Sequence, residues 1–285
     1  MTEKEQTRRR FLQVASIGAA ASLAGANSCL GRARGSSARR AGKQRFELGL
    51  ASYTLRKFNL DDTLAMTKRL DLKYIRFKSF HLPLDSTPAQ IQDTVAKVKQ
   101  AGLILYGGGV ISMKKEEQVN QAFEYAKAAG MKVIIAAPTP EMLPLIDKKV
   151  SQYDIKVAIH NHGPTDKFYP TPSDAYKQIK NLDKRIGISH DIGHTKRVNV
   201  DPTVETEKCA DRIHDVHVKD VSSANAEGHG VEIGRGVIDI PKFLKTLVKI
   251  KYDGIVSFEY EKDEGDPMAG LAESVGYVRG VLAAI

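Results

Sequence analysis

Short apolar runs alternate with longer amphipathic runs from residue 46 to the C-terminus. The short runs are rich in β-branched residues and predict strands, whereas the longer runs repeat apolar residues with the helical period. The predicted strands cover residues 47–53, 74–78, 104–110, 132–137, 156–160, 186–191, 213–219 and 254–259. The predicted helices lie near residues 61–70, 88–101, 116–129, 141–153, 172–182, 202–212, 240–250 and 268–284.

The order of these elements predicts a parallel barrel. Residues 133–136 are apolar at every position, as expected where both faces of a parallel strand are buried. Eight strand–helix repeats within residues 46–285 match an α/β fold of the (β/α)8 TIM barrel type, a single domain that typically takes about 250 residues. An open doubly wound sheet is the alternative. It usually has a glycine-rich turn after the first strand, and the turn after Tyr53 contains no glycine.

The charge distribution separates the first 45 residues from the rest. The formal net charge is +9, from 43 basic and 34 acidic residues. Residues 1–45 hold ten basic and two acidic residues, so the remaining 33 basic and 32 acidic residues leave the predicted barrel nearly neutral. Such a barrel lacks a basic face for nucleic acid, and we expect no nucleic-acid partner. Two cysteines, Cys29 and Cys209, exclude a disulfide framework.

Residues 7–13, TRRRFLQ, resemble the twin-arginine export signal of bacteria, with consecutive arginines before an apolar pair. Residues 11–31 carry no charge, and Ala24-Gly25-Ala26 fits a small-residue cleavage site. The sequence therefore predicts a signal peptide over residues 1–26, a flexible basic linker over 27–45 and the barrel over 46–285. We expect export to the periplasm. An uncleaved membrane anchor and lipidation of Cys29 are the alternatives.

Histidines and carboxylates gather where the last four predicted strands end. Seven of the eight histidines lie within residues 160–229. The carboxyl ends of the strands form the catalytic face of a TIM barrel. Four consecutive strands each supply one candidate metal ligand, namely His160, Asp191, His217 and Glu259. Two imidazoles and two carboxylates suit a divalent transition metal, and we expect Zn²⁺, Co²⁺, Fe²⁺ or Mn²⁺.

The same segments resemble the sugar phosphate isomerase/epimerase family, whose members have a xylose-isomerase-like barrel. The resemblance is carried by DIGH at residues 191–194, HVKD at 217–220, GRGVID at 234–239 and YDG at 252–254, which leads to Glu259. It covers roughly residues 46–285 and is strongest after residue 155. The resemblance implies a metal-dependent enzyme that acts on a sugar or polyol derivative.

One position departs from the family pattern. Where this chain has His160, the family has a glutamate at the end of the fifth strand. The resemblance implies the roles of two glutamates in epimerases of the family, namely the one that ends strand five and the one that ends strand eight. Both are metal ligands, and they also act as opposed acid and base groups. A metal-bound imidazole is a poor general base because its lone pair is committed to the metal. His160 therefore argues against an epimerisation mechanism that uses two bases. The added nitrogen ligand also shifts the expected metal away from Mg²⁺.

Further polar residues at the same end of the predicted barrel are candidates for catalysis and substrate binding. Glu259 is the candidate base, with His162 or Lys78 as proton donors. Lys219 shares the inward face of His217 and could polarise a carbonyl. The candidate substrate-binding residues are His81, His194, Lys219 and Arg235.

These features together predict an exported, divalent-metal-dependent sugar isomerase or epimerase that acts through an enediolate next to a carbonyl. The expected partner is a small sugar or polyol. We expect membrane contact only through export or an N-terminal anchor. The sequence is compatible with a monomer or a homo-oligomer. Loss of a β-leaving group would instead give a lyase or hydratase on keto-glycosides. A non-catalytic sugar-binding barrel is a third hypothesis, whereas an endonuclease on abasic DNA would need more metal ligands and a basic groove.

Overall fold

The computed structural model describes residues 44–285, so the predicted signal peptide and nearly all of the predicted linker lie outside the described residues. Eight parallel strands close into a barrel in which chain neighbours pair and the last strand returns to the first. These strands are β1 (Glu47–Ala51), β2 (Tyr74–Phe77), β3 (Ile104–Met113), β4 (Val133–Pro138), β5 (Lys156–His160), β6 (Ile186–Asp191), β7 (Ile213–Val218) and β10 (Ile255–Phe258). The predicted (β/α)8 TIM barrel is confirmed.

Helices cover the outside of the barrel. They are α1 (Leu60–Arg69), α2 (Pro88–Gln100), α3 (Glu116–Ala128), α4 (Leu143–Tyr153), α5 (Pro172–Ile179), α6 (Ile192–Arg197), α7 (Pro202–Lys208), α8 (Ile240–Lys249) and α9 (Met268–Ala284). A short antiparallel hairpin of β8 (Asp220–Val221) and β9 (Gly230–Val231) follows β7. The sequence pattern does not predict α6 or this hairpin, because both are too short to show a period. Within residues 44–285, no helix has the length and apolar character to cross a membrane.

Side-chain caps define the beginnings of α2 and α6. Thr87 and Gln90 form a reciprocal capping box at α2, with Pro88 in the first turn. Asp191 caps α6 by accepting a 2.8 Å hydrogen bond from the backbone nitrogen of His194. Helix α6 therefore begins directly at a candidate metal ligand, which holds the turn after β6 in a defined geometry.

Two apolar clusters support the barrel. The larger one packs the strands against the helices. The smaller one, formed by Tyr106, Val133, Ile135 and Ala158, fills part of the barrel interior. Other inward positions are polar yet buried, and these include Arg76, Ser189, Asp215 and Ser257. The barrel interior thus changes from an apolar floor to a polar layer.

Arg212 anchors the beginning of β7. Its guanidinium is buried and donates to four backbone carbonyls in the connection between α5 and β6, at distances of 2.7–3.0 Å. These carbonyls belong to Lys180, Leu182, Asp183 and Ile186. Because β7 begins at the next residue and carries His217, this contact fixes the strand beneath the candidate site.

We expect Arg212→Met to lower the free energy of unfolding by about 2–4 kcal/mol, because it leaves four carbonyl oxygens without their donor. Chemical denaturation followed by circular dichroism measures the change. Arg279→Met is the matched control, since Arg279 lies on the surface with its side chain 41% exposed. We expect the control to change stability by no more than about 0.5 kcal/mol. Equal losses in the two variants would contradict the anchoring role.

Candidate metal centre and catalytic cavity

The barrel register brings the four predicted ligands together. Asp191 in β6 pairs with His217 in β7, and His217 pairs with Ser257 in β10. His160 is the last residue of β5, and Glu259 follows the last residue of β10. Side chains alternate between the two faces of a strand, so all four point into the barrel. Each offers one ligand atom, and these atoms lie within 4.8 Å of one another.

The four side chains form a buried cluster with unsatisfied atoms. His217 Nδ1 lies 3.2 Å from Glu259 Oε2 and 3.5 Å from Asp191 Oδ2. His160 Nε2 lies 3.9 Å from the same Asp191 oxygen. Asp191 Oδ2 and His217 Nδ1 are buried and make no hydrogen bond of good geometry, although Lys219 lies 2.9 Å from the first atom and Glu259 lies 3.2 Å from the second. A cation bound at the cluster would give both atoms a partner in coordination geometry.

A divalent transition metal fits this donor set. Imidazole nitrogens and carboxylate oxygens are its usual ligands in proteins, and the two unsatisfied atoms are of these kinds. Two carboxylates also balance the formal charge of one divalent cation. The residues that would hold the ion are His160, Asp191, His217 and Glu259.

The ammonium group of Lys219 reaches the same carboxylates. Its Nζ lies 2.9 Å from Asp191 Oδ2 and 2.7 Å from Glu259 Oε2, and it also pairs with Glu261. The lysine stem passes over Gly193, where a Cβ would lie 2.6 Å from Lys219 Cγ and Cδ. A glycine at this position therefore makes room for the lysine. The sequence predicts a substrate-binding Lys219 but not its contact with two ligand candidates.

The carboxylates stay charged despite their burial. Burial by itself favours the neutral form of Glu259, but Lys219 and His217 outweigh it and hold its pKa well below the ordinary value. Burial also opposes ionisation of Asp191, and Lys219 again outweighs it and lowers that pKa. Both side chains are therefore anionic near pH 7, the form in which carboxylates bind metals.

The two imidazoles of the cluster differ in charge. Burial and Arg76 oppose the charged form of His217, yet Glu259 and the neighbouring aspartates raise its pKa to about 10. Burial, reinforced by His217, holds the pKa of His160 well below its ordinary value. His160 is therefore neutral near pH 7, whereas metal binding at His217 would release a proton.

Residues beneath His217 form a hydrogen-bond network that no sequence motif indicates. Asp215 Oδ2 lies 3.2 Å from His217 Nε2 and accepts a 2.8 Å hydrogen bond from Ser189. The Tyr106 hydroxyl lies 3.0 Å from both Asp215 Oδ1 and Ser257 Oγ. Asp215 thereby turns His217 Nδ1 towards the cluster. The available signal is strand alternation, because Asp215 stands two residues before His217 on the same inward face.

A buried cation was also missed by the sequence motifs. Arg76 Nη2 lies 3.5 Å from Glu259 Oε1, and Arg76 Nη1 donates a 2.7 Å hydrogen bond to the carbonyl of Gly109. Two residues further, the predicted Lys78 donates from Nζ to the carbonyl of Val110 at 3.1 Å. Burial and Arg76 lower the pKa of Lys78, while Glu259 acts in the opposite direction. Lys78 therefore belongs to the same charged layer as Glu259.

His162 and His194 lie beside the cluster. Ring centroids are 4.6 Å apart for His160 and His162, and 5.1 Å apart for His162 and His194. Burial lowers the pKa of both His162 and His194, so both rings are neutral near pH 7. His194 Nδ1 is buried without a hydrogen-bond partner. Two neutral imidazoles next to the ligand candidates can donate to or accept from substrate hydroxyls.

The structure does not bring His81 or Arg235 to the cluster. His81 Nε2 lies 3.0 Å from both the Thr63 hydroxyl and the Phe58 carbonyl, which hold the ring against the loop before α1. The Arg235 guanidinium pairs with Glu273 on the exposed side of α9. Both side chains are engaged with other residues, and their substrate-binding role stays a prediction.

The loop around Arg235 wraps an internal carboxylate. The backbone nitrogens of Gly234, Gly236 and Ile238 donate to Asp220 at 3.0–3.1 Å. Backbone nitrogens in such a loop are the donors that a phosphate would use. Because Asp220 already accepts these bonds, the loop serves to hold the β8–β9 hairpin in place.

A cavity of about 300 Å³ opens beside the cluster. His194, Lys219 and Glu259 line its inner side, and the hairpin segment with His229 lines another. This volume is at the small end of the range for ligand pockets and suits a ligand of monosaccharide size.

The fold and the cluster of candidate ligands together describe a (β/α)8 barrel with a buried polar centre at the carboxyl ends of its strands. The chain belongs to the xylose isomerase-like TIM barrel family, whose model matches residues 56–281. This confirms the barrel family that the motifs indicate. The twin-arginine signal stays a prediction.

Individual relatives are more distant. Rhizopine catabolism protein MocC of Rhizobium meliloti is 27% identical over 131 residues, which cover 41% of this chain and 40% of that protein. The match thus spans less than half of that relative's length. The structure of an L-ribulose 3-epimerase superposes with a TM-score of 0.69 at 17% identity, covering 84% of this chain and 95% of that chain. For 3-keto-D-glucoside 4-epimerase from E. coli the TM-score is 0.66 at 16% identity, covering 84% and 100%. These two likenesses show the fold.

We expect Asp215→Asn to weaken binding of Co²⁺ or Zn²⁺ by about 10- to 100-fold, because the amide no longer orients His217 as the carboxylate does. Isothermal titration calorimetry on metal-depleted protein measures the affinity, and circular dichroism checks the fold. Asp253→Asn, an exposed position just before β10, is the matched control. Unchanged affinity in Asp215→Asn would show that Asp215 does not orient a metal ligand.

Proposed function

We propose that the protein is a divalent-metal-dependent sugar isomerase or epimerase that moves a proton on a carbon next to a carbonyl. The observation that carries the proposal is the buried cluster of His160, Asp191, His217 and Glu259, whose ligand atoms lie within 4.8 Å of one another. The cavity beside it suits a single sugar ring. Membership of the xylose isomerase-like family and the sugar epimerases that share the fold support the same class of chemistry.

A bound divalent ion would act as a Lewis acid that polarises a substrate carbonyl and acidifies the neighbouring C–H bond. Glu259 is the proposed base, because its carboxylate is anionic and faces the cluster. It would take the proton from carbon and leave an enediolate. Reprotonation at the neighbouring carbon, from His162 or Lys78, completes isomerisation. The Lys219 ammonium, 2.7 Å from Glu259, would keep that carboxylate in place.

A lyase or hydratase on keto-glycosides is the second candidate, and the identity of His160 favours it. The barrel places an imidazole where a second carboxylate would serve as the opposite base. The one ionised carboxylate that faces the cluster from this side, Glu259, would then remove the proton, and a β-leaving group would depart with the electron pair of its bond. His162 or Lys78 would protonate that leaving group.

The first experiment measures metal binding directly. We expect metal-depleted protein to bind about one equivalent of Co²⁺ or Zn²⁺, and a hundredfold excess over Kd to stabilise the fold by about 2.7 kcal/mol. Asp191→Asn should weaken binding strongly, whereas Asp253→Asn should not. Elemental analysis and thermal unfolding provide the measurements. A wild-type protein that binds no divalent transition metal would overturn the metal-dependent proposal.

The second experiment follows the proton. Metal-loaded protein is incubated in D₂O with ketoses and 3-keto-glycosides, and we expect deuterium at the carbon next to the carbonyl. Incorporation without cleavage supports isomerisation, whereas release of an aglycone supports the lyase. Glu259→Gln should slow exchange by about 10²- to 10⁴-fold, because it removes the base. Glu273→Gln on the exposed face of α9 is the control.

Failure of every substrate to exchange or cleave would reject both enzyme hypotheses and leave the hypothesis of a non-catalytic sugar-binding barrel.

We also infer export through the twin-arginine route from the sequence of residues 7–31 alone. Export favours an unphosphorylated substrate, because phosphorylated sugars are scarce outside the cytoplasm.

A further inference from the structure

Arg197 presents a guanidinium to the cavity without an acidic partner. It lines the cavity together with His194, Lys219 and Glu259. Its Nη2 donates a 2.7 Å hydrogen bond to the carbonyl of Ala226, and its Nε is buried without a partner. No carboxylate within residues 44–285 forms an ion pair with it. A guanidinium that lines a cavity and has no acidic partner among these residues is free to pair with an anionic group of a ligand.

Helix α6 points Arg197 towards the same space as the candidate catalytic residues. The helix begins at Ile192, directly after its N-cap Asp191, and His194 and Arg197 stand three residues apart, hence on one face. At about 1.5 Å per residue, the backbone of Arg197 lies about 9 Å along the axis from that of Asp191. A hexose chain is of comparable length, so a sugar with its carbonyl at the cluster is long enough to reach the α6 side of the cavity, which Arg197 lines.

Lys219 cannot serve as the anion-binding cation of this cavity. Its ammonium already pairs with Asp191, Glu259 and Glu261. The other long cationic side chain of the lining is Arg197. Any anionic group on the ligand therefore meets its cation at the α6 side of the cavity, away from the acidic cluster.

We propose that Arg197 binds a carboxylate of the substrate, which makes the substrate a monosaccharide acid such as a uronic or keto-aldonic acid. The inference rests on the proposed function in placing the reacting carbonyl at the cluster. The planar guanidinium fork matches a carboxylate with two parallel hydrogen bonds. A phosphate calls for more donors, and the nearby backbone nitrogens of Gly234, Gly236 and Ile238 are already occupied by Asp220.

The contact between Arg197 and Ala226 offers a structural alternative. Ala226 lies in the segment between β8 and β9, so Arg197 could act only as an anchor for the hairpin. If Arg197 were only an anchor, its substitution would change the Kd of acidic and neutral ligands equally, because the side chain would shape the cavity without contacting the ligand. A carboxylate-binding arginine would affect acidic ligands selectively.

The test compares matched ligands by isothermal titration calorimetry on metal-loaded protein. The pairs are D-glucuronate with D-glucose, D-galacturonate with D-galactose, and 5-keto-D-gluconate with L-sorbose; D-glucose 6-phosphate is added as a phosphate probe. In at least one pair we expect the acid to bind about 10- to 100-fold more tightly than its neutral partner. Arg197→Gln should reduce that ratio to about one, with a much larger loss of affinity for the acid than for the neutral ligand. Arg197→Lys should retain part of the preference, since it keeps the charge but not the fork.

Arg235→Gln is the control, because it removes the same charge from an exposed arginine paired with Glu273. Three outcomes would overturn the inference: no acid preference in any pair, an equal loss for acid and neutral ligands in Arg197→Gln, or tighter binding of glucose 6-phosphate than of every acid. The measurement needs no turnover. An acid preference that depends on Arg197 would therefore stand even if no deuterium exchange occurred, and exchange without such a preference would reject only the carboxylate site.

Discussion

Three buried carboxylates at the centre of the barrel, those of Asp191, Asp215 and Glu259, each have to face a positive charge or a hydrogen-bond donor. In a water-poor interior an unpaired charge is strongly destabilising, so partners must come from other strands. Lys219 meets Asp191 and Glu259, and His217 lies against all three carboxylates. The electrostatic requirement therefore couples β6, β7 and β10 at one level of the barrel. The same coupling gathers the groups that can hold a metal.

The chemistry of the centre is shaped by the imidazole of His160. A glutamate there would add a third negative charge to the ligand set and a second base facing the substrate. With His160, two carboxylates balance one divalent ion, and Glu259 is left as the anionic base of the cluster. The neutral rings of His162 and His194 beside it supply hydrogen bonding without further charge. This set of side chains supports the proposed single-base reaction, whether isomerisation or elimination, better than a two-base epimerisation.

The candidate metal ligands and the cavity wall come from different parts of the fold. The ligand candidates sit at strand ends, where register and burial hold them rigidly. The cavity wall comes from α6 and the β8–β9 hairpin, which follow the strands as short local additions. This division is general for TIM barrels, in which the loops after the strands vary while the barrel persists. The family relationship accordingly describes the fold, while the proposed ligand specificity would depend on side chains of the cavity wall such as Arg197.

The sequence by itself determined the barrel, because strand and helix periods are local and each repeat carries its own start and stop residues. It also indicated His160, Asp191, His217 and Glu259, since each stands at a predicted strand end. It could not place Arg76 or the Tyr106–Asp215 network, whose roles depend on which inward positions face one another across the barrel. Nor could it separate Arg197, which faces the cavity, from Arg235, which pairs with Glu273 on the surface. Only the tertiary structure decided those points, because register, barrel closure and the direction of α6 bring together side chains that no sequence spacing relates.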